Sequence, residues 1–140
     1  MTSVKQEYTA YQEECEKNQQ NYAQLQAQFN YLNDPQTGKF YLKGNQKANN
    51  FEVIAYWNDN QQKSMLRILD LPQLPEKKCF QMWADVHGEM LNLGVLQVAD
   101  NQALIDLPYL ADAESLNVTI EPAGGSDHPT VADLVANVSI

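Results

Sequence analysis

Val118-Thr119-Ile120-Glu121-Pro122-Ala123-Gly124-Gly125-Ser126-Asp127-His128-Pro129-Thr130 is the stretch on which the fold turns. A β-branched run favours a strand, and it stops at Glu121-Pro122, because proline brings no backbone donor. Gly124 and Gly125 then supply the positive φ that a tight bend after a strand requires. Glu121 is placed to cap that bend by accepting backbone N–H bonds. The glycine pair is a poor phosphate cradle, since no Lys stands nearby and Pro129 replaces a helix N-terminus.

Working outward, short strand-like segments recur about every eight to twelve residues. Upstream they are 39–42, 51–57, 64–69, 79–86, 90–98 and 102–107; 116–121 and 133–140 complete the set. Phe51, Val53, Ala55 and Trp57 share one face of their segment. Leu66 and Ile68 oppose Met65, Arg67 and Leu69. Phe80, Met82, Ala84 and Val86 lie opposite Trp83. Asn58-Asp59-Asn60 and His87-Gly88 read as hairpin turns, because such residues tolerate left-handed backbone. Residues 107–113 read as a short helical turn. Seven or eight short strands predict an all-β, mostly antiparallel sandwich.

Leu71-Pro72-Gln73-Leu74-Pro75 cannot be a central strand, because Pro72 and Pro75 lack donors. It reads as a crossing loop whose Leu71 and Leu74 plug the core; an exposed apolar docking loop is the alternative.

Three of these stretches, in order, resemble the C-terminal extracytoplasmic domain of the anti-sigma-K factor (RskA-like) family. The first is Leu71-Pro72-Gln73-Leu74-Pro75, similar to its Leu-Pro-x-Leu-Pro turn. The second is Phe80-Gln81-Met82-Trp83 with Gly88 and Leu93-Gly94, similar to its strand pair. The third is Glu121-Pro122-Ala123-Gly124-Gly125-Ser126 with Pro129-Thr130. The resemblance runs over roughly residues 51–135, and Asp127-His128 departs from the family's small or proline residues. It implies the periplasmic sensor part of a single-pass membrane protein. A cytoplasmic sigma-binding region and one membrane span would precede Met1 in a longer parent. The sigma factor and an envelope protease would then be partners of that parent alone, with regulated proteolysis releasing the sigma factor. Nothing in the chain resembles the sigma-binding part.

The N-terminal segment differs in kind. Residues 1–34 hold no Gly or Pro, whereas residues 35–140 hold all six glycines and all six prolines. This divides the chain into a helical stalk, 1–34, and a β-domain, 35–140. Val4, Tyr8, Tyr11, Cys15, Asn18, Tyr22, Leu25, Phe29 and Leu32 alternate steps of four and three, the 3.5-residue period of a coiled-coil seam. Tyr8, Cys15, Tyr22 and Phe29 take the a positions; Tyr11, Asn18 and Leu25 take d. Glu7, Glu14, Gln12, Gln19 and Gln26 flank them and give little charge selectivity. Tyrosine is a poor seam residue, so the helix is marginal and needs a partner surface. Three readings stand open: a homodimer, packing on the β-domain, or disorder of the N-terminal half. Asp34-Pro35 ends the helix, because a residue before proline is pushed out of the α region.

A net charge of −9 in 140 residues argues against nucleic acid and against an anionic membrane surface. No window is apolar enough to span a bilayer, and no signal peptide opens the chain. Membrane attachment would come only from the span implied upstream. Read without the resemblance, the chain is cytosolic, and a secreted β-sandwich module that binds carbohydrate or protein is the rival.

Two cysteines, Cys15 and Cys79, make neither a disulfide framework nor a zinc site. Cys15 could join its copy across the seam or stand as a small hydrophobe; Cys79 reads as a free thiol. Ser126, Asp127 and His128 evoke a hydrolase, but adjacent residues of an extended loop point apart, and no serine sits on a Gly-x-Ser-x-Gly elbow. No catalytic, cofactor or metal site is expected. Trp57 and Trp83 read as core, with sugar stacking as the alternative, and Tyr56 as surface.

Overall fold

The computed structural model describes residues 4–97 and 104–140, so Val98, Gln102 and Ala103, expected in strands, lie outside the described residues. The chain forms two compact units, Met1–Thr37 and Gly38–Ile140.

In the first unit, α1 runs Val4–Asn33. Its end is tied off locally. Asp34 accepts Gln36 N–H on its side chain at 2.9 Å. The Thr37 hydroxyl donates to Tyr31 C=O at 2.7 Å, and Asn33 Nδ2 donates to Phe29 C=O at 2.8 Å. The Thr37 hydroxyl thus satisfies the Tyr31 carbonyl, one of the last four of the helix, which have no intrahelical partner, and Pro35 forbids another turn.

The second unit holds β1 (Gly38–Lys43), β2 (Glu52–Asn58), β3 (Lys63–Asp70), β4 (Lys78–Val86), β5 (Glu89–Val95), β6 (Leu104–Leu107), β7 (Ala113–Pro122) and β8 (Leu134–Ser139). They form two four-stranded sheets, β1-β2-β3-β6 and β5-β4-β7-β8. Every pairing is antiparallel. The fold is therefore an all-β sandwich of eight strands, preceded by one helix, as the alternating segments predict.

The inner faces supply the core. Phe51, Val53, Ala55, Trp57 and Leu66 meet Phe80, Met82, Ala84, Leu116 and Val118 in one cluster. Phe51 and Phe80 stack at 4.9 Å between ring centroids. Leu71 and Leu74 are half-buried against this cluster. The connection from β1 to β2 is pinned to β8: Asn45 donates to Val135 C=O at 2.8 Å and to Leu134 C=O at 2.7 Å. Gly44 permits this close fold, since a Cβ there would stand 1.8 Å from Ala48 O.

Of four local expectations, one holds and three shift. His87 (φ 54) and Gly88 (φ 84) make the two-residue turn foreseen, which is the type favoured by strand twist. At the Asn58-Asp59-Asn60 turn, however, the left-handed residue is Gln62 (φ 52), while Asn58 Oδ1 accepts Gln61 N–H at 2.7 Å. Residues 107–113 are not helical. Pro108 supplies no donor, the Tyr109 hydroxyl donates to Asp59 at 2.6 Å, and the chain turns at Asp112 (φ 64) to begin β7 at Ala113. The Asp59 carboxylate, burial second, pushes the Tyr109 hydroxyl up to about 12. Tyr56 faces away from the core as expected, yet it is buried, with Lys39 and Met65 beside it in the ladder.

Candidate functional site

The outer face of the β5-β4-β7-β8 sheet carries the densest polar chemistry in the second unit. Period-2 alternation points Phe80, Met82 and Ala84 inward and leaves Gln81 and Trp83 outward; on β7, Asn117, Thr119 and Glu121 are the outward set. An antiparallel sheet commonly leaves this face to solvent. Here all five are buried, with Trp83 and Glu121 at 0% exposure. Trp83 is thus buried as expected, but it does not belong to the inter-sheet cluster where Trp57 sits.

The segment between β7 and β8 is fastened to this face at Gln81 and Glu121. It leaves β7 through Pro122, whose C=O accepts Gly125 N–H at 2.9 Å, with Gly124 (φ 91) and Gly125 (φ 89) both left-handed. A Cβ on Gly125 would meet Gln81 Oε1 at 3.0 Å and Val95 Cγ2 at 3.1 Å, so this glycine is needed for conformation and for close approach. Gln81 then holds the strap by both backbone groups of Ser126. Its Oε1 accepts the N–H at 2.8 Å, and its Nε2 donates to the C=O at 3.0 Å. The same Nε2 donates to Asn92 Oδ1 at 2.8 Å. Asn92 Oδ1 also accepts Gly94 N–H at 2.8 Å. Gly94 (φ 114) stands where the β4–β5 register shifts, so the Leu93-Gly94 pair is a bulge.

Glu121 holds the strap's far end. Thr130 donates its N–H at 2.8 Å and its hydroxyl at 2.7 Å to the two carboxylate oxygens. The Thr119 hydroxyl donates at 2.5 Å while accepting Trp83 Nε1–H at 2.9 Å. Burial pushes the Glu121 carboxyl upward, but donors on Thr119, Thr130 and Ser126 outweigh it and hold the group below its ordinary value. The carboxylate keeps its charge without a neighbouring cation because hydroxyl and amide donors surround it. Glu121 accepts a backbone N–H as foreseen, but from Thr130, so it fastens the far end of the segment rather than capping the glycine bend, which Gly125 N–H closes on Pro122 C=O.

The three motif stretches converge at one end of the sandwich. Gln81, Trp83, Glu121, Gly124, Gly125, Ser126 and Thr130 build the latch, with Pro122 and the half-buried Pro129 inside the same segment. Leu71, Pro72, Leu74, Phe80 and Gly124 line an adjoining groove of about 540 Å³. Pro75 C=O accepts Lys78 N–H at 2.9 Å and starts β4. Gly88 stands apart, at the other end of the β4–β5 hairpin. Thr119 and Asn92 are latch members that the sequence reading did not single out; the signal for each was a polar residue on an outward strand position.

This arrangement holds a loop; it does not present reactive groups. Ser126 is bound to Gln81 and Glu121, while His128 is exposed. His87 is exposed and lies 3.8 Å from Asp112 and 3.9 Å from Glu114. Among the described residues no group of three His, Cys, Asp or Glu side chains is placed to hold a metal. With both tryptophans buried, neither offers a face to a sugar.

On α1, by contrast, Val4, Tyr8, Tyr11, Tyr22, Leu25 and Phe29 are exposed, and so is Cys15. No described helix is long and apolar enough to cross a membrane.

A sandwich whose buried polar site latches a loop, preceded by a helix with an exposed heptad seam, has the features of a regulatory or docking class. The family model for the anti-sigma-K factor RskA, C-terminal region, matches residues 3–134. The chain belongs to that family, and the match takes in α1 and β1 to β7, ending at the first residue of β8 and reaching further towards the N-terminus than the three motifs do. No curated protein and no solved structure gives a match.

Proposed function

We propose that this chain is the extracytoplasmic regulatory part of a single-span anti-sigma factor, acting by position and proteolysis rather than by catalysis. The family match across residues 3–134 carries this reading, and the latch supports it, since its polar groups are consumed in holding the segment between β7 and β8. In this scheme residues 1–34 are a juxtamembrane stalk that joins a second copy of the chain, and residues 35–140 are the sensor domain. A cytoplasmic region of the parent sequesters an extracytoplasmic-function sigma factor, and an envelope protease begins its release. The chain alone does not bind the sigma factor.

The stalk suits a switch. Its seam is marginal, so a few kcal/mol separate paired from unpaired states, and a ligand with unequal affinity for the two shifts the balance. Topology tests the proposal directly. Alkaline phosphatase fused after Ile140 of the full-length parent is expected to be active, and β-galactosidase at the same site inactive. The reverse pattern would exclude an extracytoplasmic domain.

A further inference from the structure

The seam of α1 shows which partner it fits and in what orientation. Along Val4–Asn33 the apolar seam residues lie open, from 37% exposed at Leu32 to 82% at Val4. At a rise of about 1.5 Å per residue the helix is some 45 Å long, roughly four heptads, the length over which a seam reads as a coiled coil. A continuous exposed apolar stripe of this kind marks an interaction surface. The 3.5-residue spacing restricts the occupant to another helix.

The middle of the seam selects among helices. Cys15 and Asn18 are small, Tyr11 and Tyr22 are large, and the four line a hollow of about 510 Å³. We infer that α1 pairs in parallel and in register with α1 of a second copy of the chain, with the Cys15 and Asn18 layers at its centre. In that register Asn18 meets Asn18 of the second copy, and the two amides satisfy each other. A buried polar seam residue is the best attested device for choosing register. Shifted or antiparallel alignments set Asn18 against Cys15, Tyr22 or Leu25, leaving an amide without a full partner, which costs about 1–3 kcal/mol. The four tyrosine rings flank the two small layers and close over them. Outside the seam the a/d pairing brings Glu7 toward Gln12 and Glu14 toward Gln19, so carboxylates face amide donors and no like charges meet across it.

The pairing deepens the stalk reading and rests on it in one respect: no other helix occupies the seam in the parent. The two fail separately, because pairing is read on the soluble chain and topology on the parent. In a Cys79→Ser background, Cys15 is the sole thiol. Sedimentation equilibrium is expected to show a concentration-dependent dimer, and mild oxidation to link it through Cys15. A thiol moved to the opposite side of the helix (Cys15→Ser, Cys79→Ser, Gln20→Cys) is expected to link ~10-fold or more slowly, lacking the effective concentration of a facing partner. Leu25→Glu is expected to return the chain to monomer with an unchanged β-sheet circular dichroism spectrum. A monomer at all concentrations would overturn the inference. So would a dimer whose Cys15 and Gln20→Cys thiols link equally fast.

Discussion

On the outer face of the β5-β4-β7-β8 sheet, Gln81, Asn117, Thr119 and Glu121 are polar and buried; along α1, Tyr8, Tyr11, Tyr22, Leu25 and Phe29 are apolar or aromatic and exposed. Each region inverts the usual relation between chemistry and burial. The inversion on the sheet is resolved within the chain. Ser126 and Thr130 pair with Gln81 and Glu121, Trp83 with Thr119, and Ser115 with Asn117, so that among the described residues no buried side-chain polar atom lacks a partner. The inversion on the helix is not resolved by any side chain of α1, because a single straight helix cannot cover its own stripe. A buried polar cluster thus turns to partners within its own unit, and the exposed apolar stripe of α1 is the surface for which the second copy is proposed.

The largest effect is expected at the latch. Trp83→Ala removes a fully buried ring and leaves the Thr119 hydroxyl without its donor; large-to-small changes of this type cost about 3–5 kcal/mol. Urea unfolding followed by circular dichroism checks this. A loss below ~1 kcal/mol would show that the strap collapses onto the vacated space and that the outer face is not a second core.

Next in size is the Glu121 carboxylate. Glu121→Gln keeps the shape but sets an NH2 group against donors, and charge-assisted bonds of this kind are worth about 1.5–3 kcal/mol. The acid behaviour separates charge from shape. The folded Glu121 carboxyl lies below its ordinary value of 4.5, with burial opposing and the Thr119, Thr130 and Ser126 donors prevailing. A carboxyl depressed in the folded state stabilises fully above its unfolded value, and that contribution is lost as pH falls through the folded value. The parent chain is therefore expected to lose more stability than Glu121→Gln between neutral pH and about pH 3. Equal losses in the two would mean that the carboxylate is not held by those donors.

How much of this was legible follows from distance along the chain. The His87-Gly88 turn is local, needs two residues with positive φ, and was readable as such. The eight strands were readable because alternation is a local pattern. It also set Trp83 opposite Phe80, Met82 and Ala84, but alternation cannot say that the opposite face is buried, since Ser126, which pairs with Gln81 there, lies 45 residues along the chain from it. Glu121 was legible as an acceptor of backbone N–H bonds, but its partner Thr130 lies nine residues on, past the glycine bend where the cap was expected. Residues 107–113 were read as a short helical turn, but Pro108 brings no donor and Tyr109 is drawn into a long-range bond to Asp59. The motif resemblance pointed to this end of the sandwich without saying what the residues do there. In the structure Gln81, Glu121 and Gly125 fasten a loop.

The smallest expected effect is the sharpest test of the comparison. The only tryptophans are Trp57 and Trp83, both in the second unit, so fluorescence-detected unfolding reports that unit alone. Leu25→Ser replaces an exposed apolar residue of the seam, and surface changes away from special features stay within about 0.5 kcal/mol. The unfolding midpoint of the sandwich is expected not to move, while dimer formation through α1 weakens. A shift of more than ~1 kcal/mol would show that the seam is an intramolecular surface, resolved within the chain like the face of the sheet. The contrast between the two regions would then disappear, and with it the argument for a second copy.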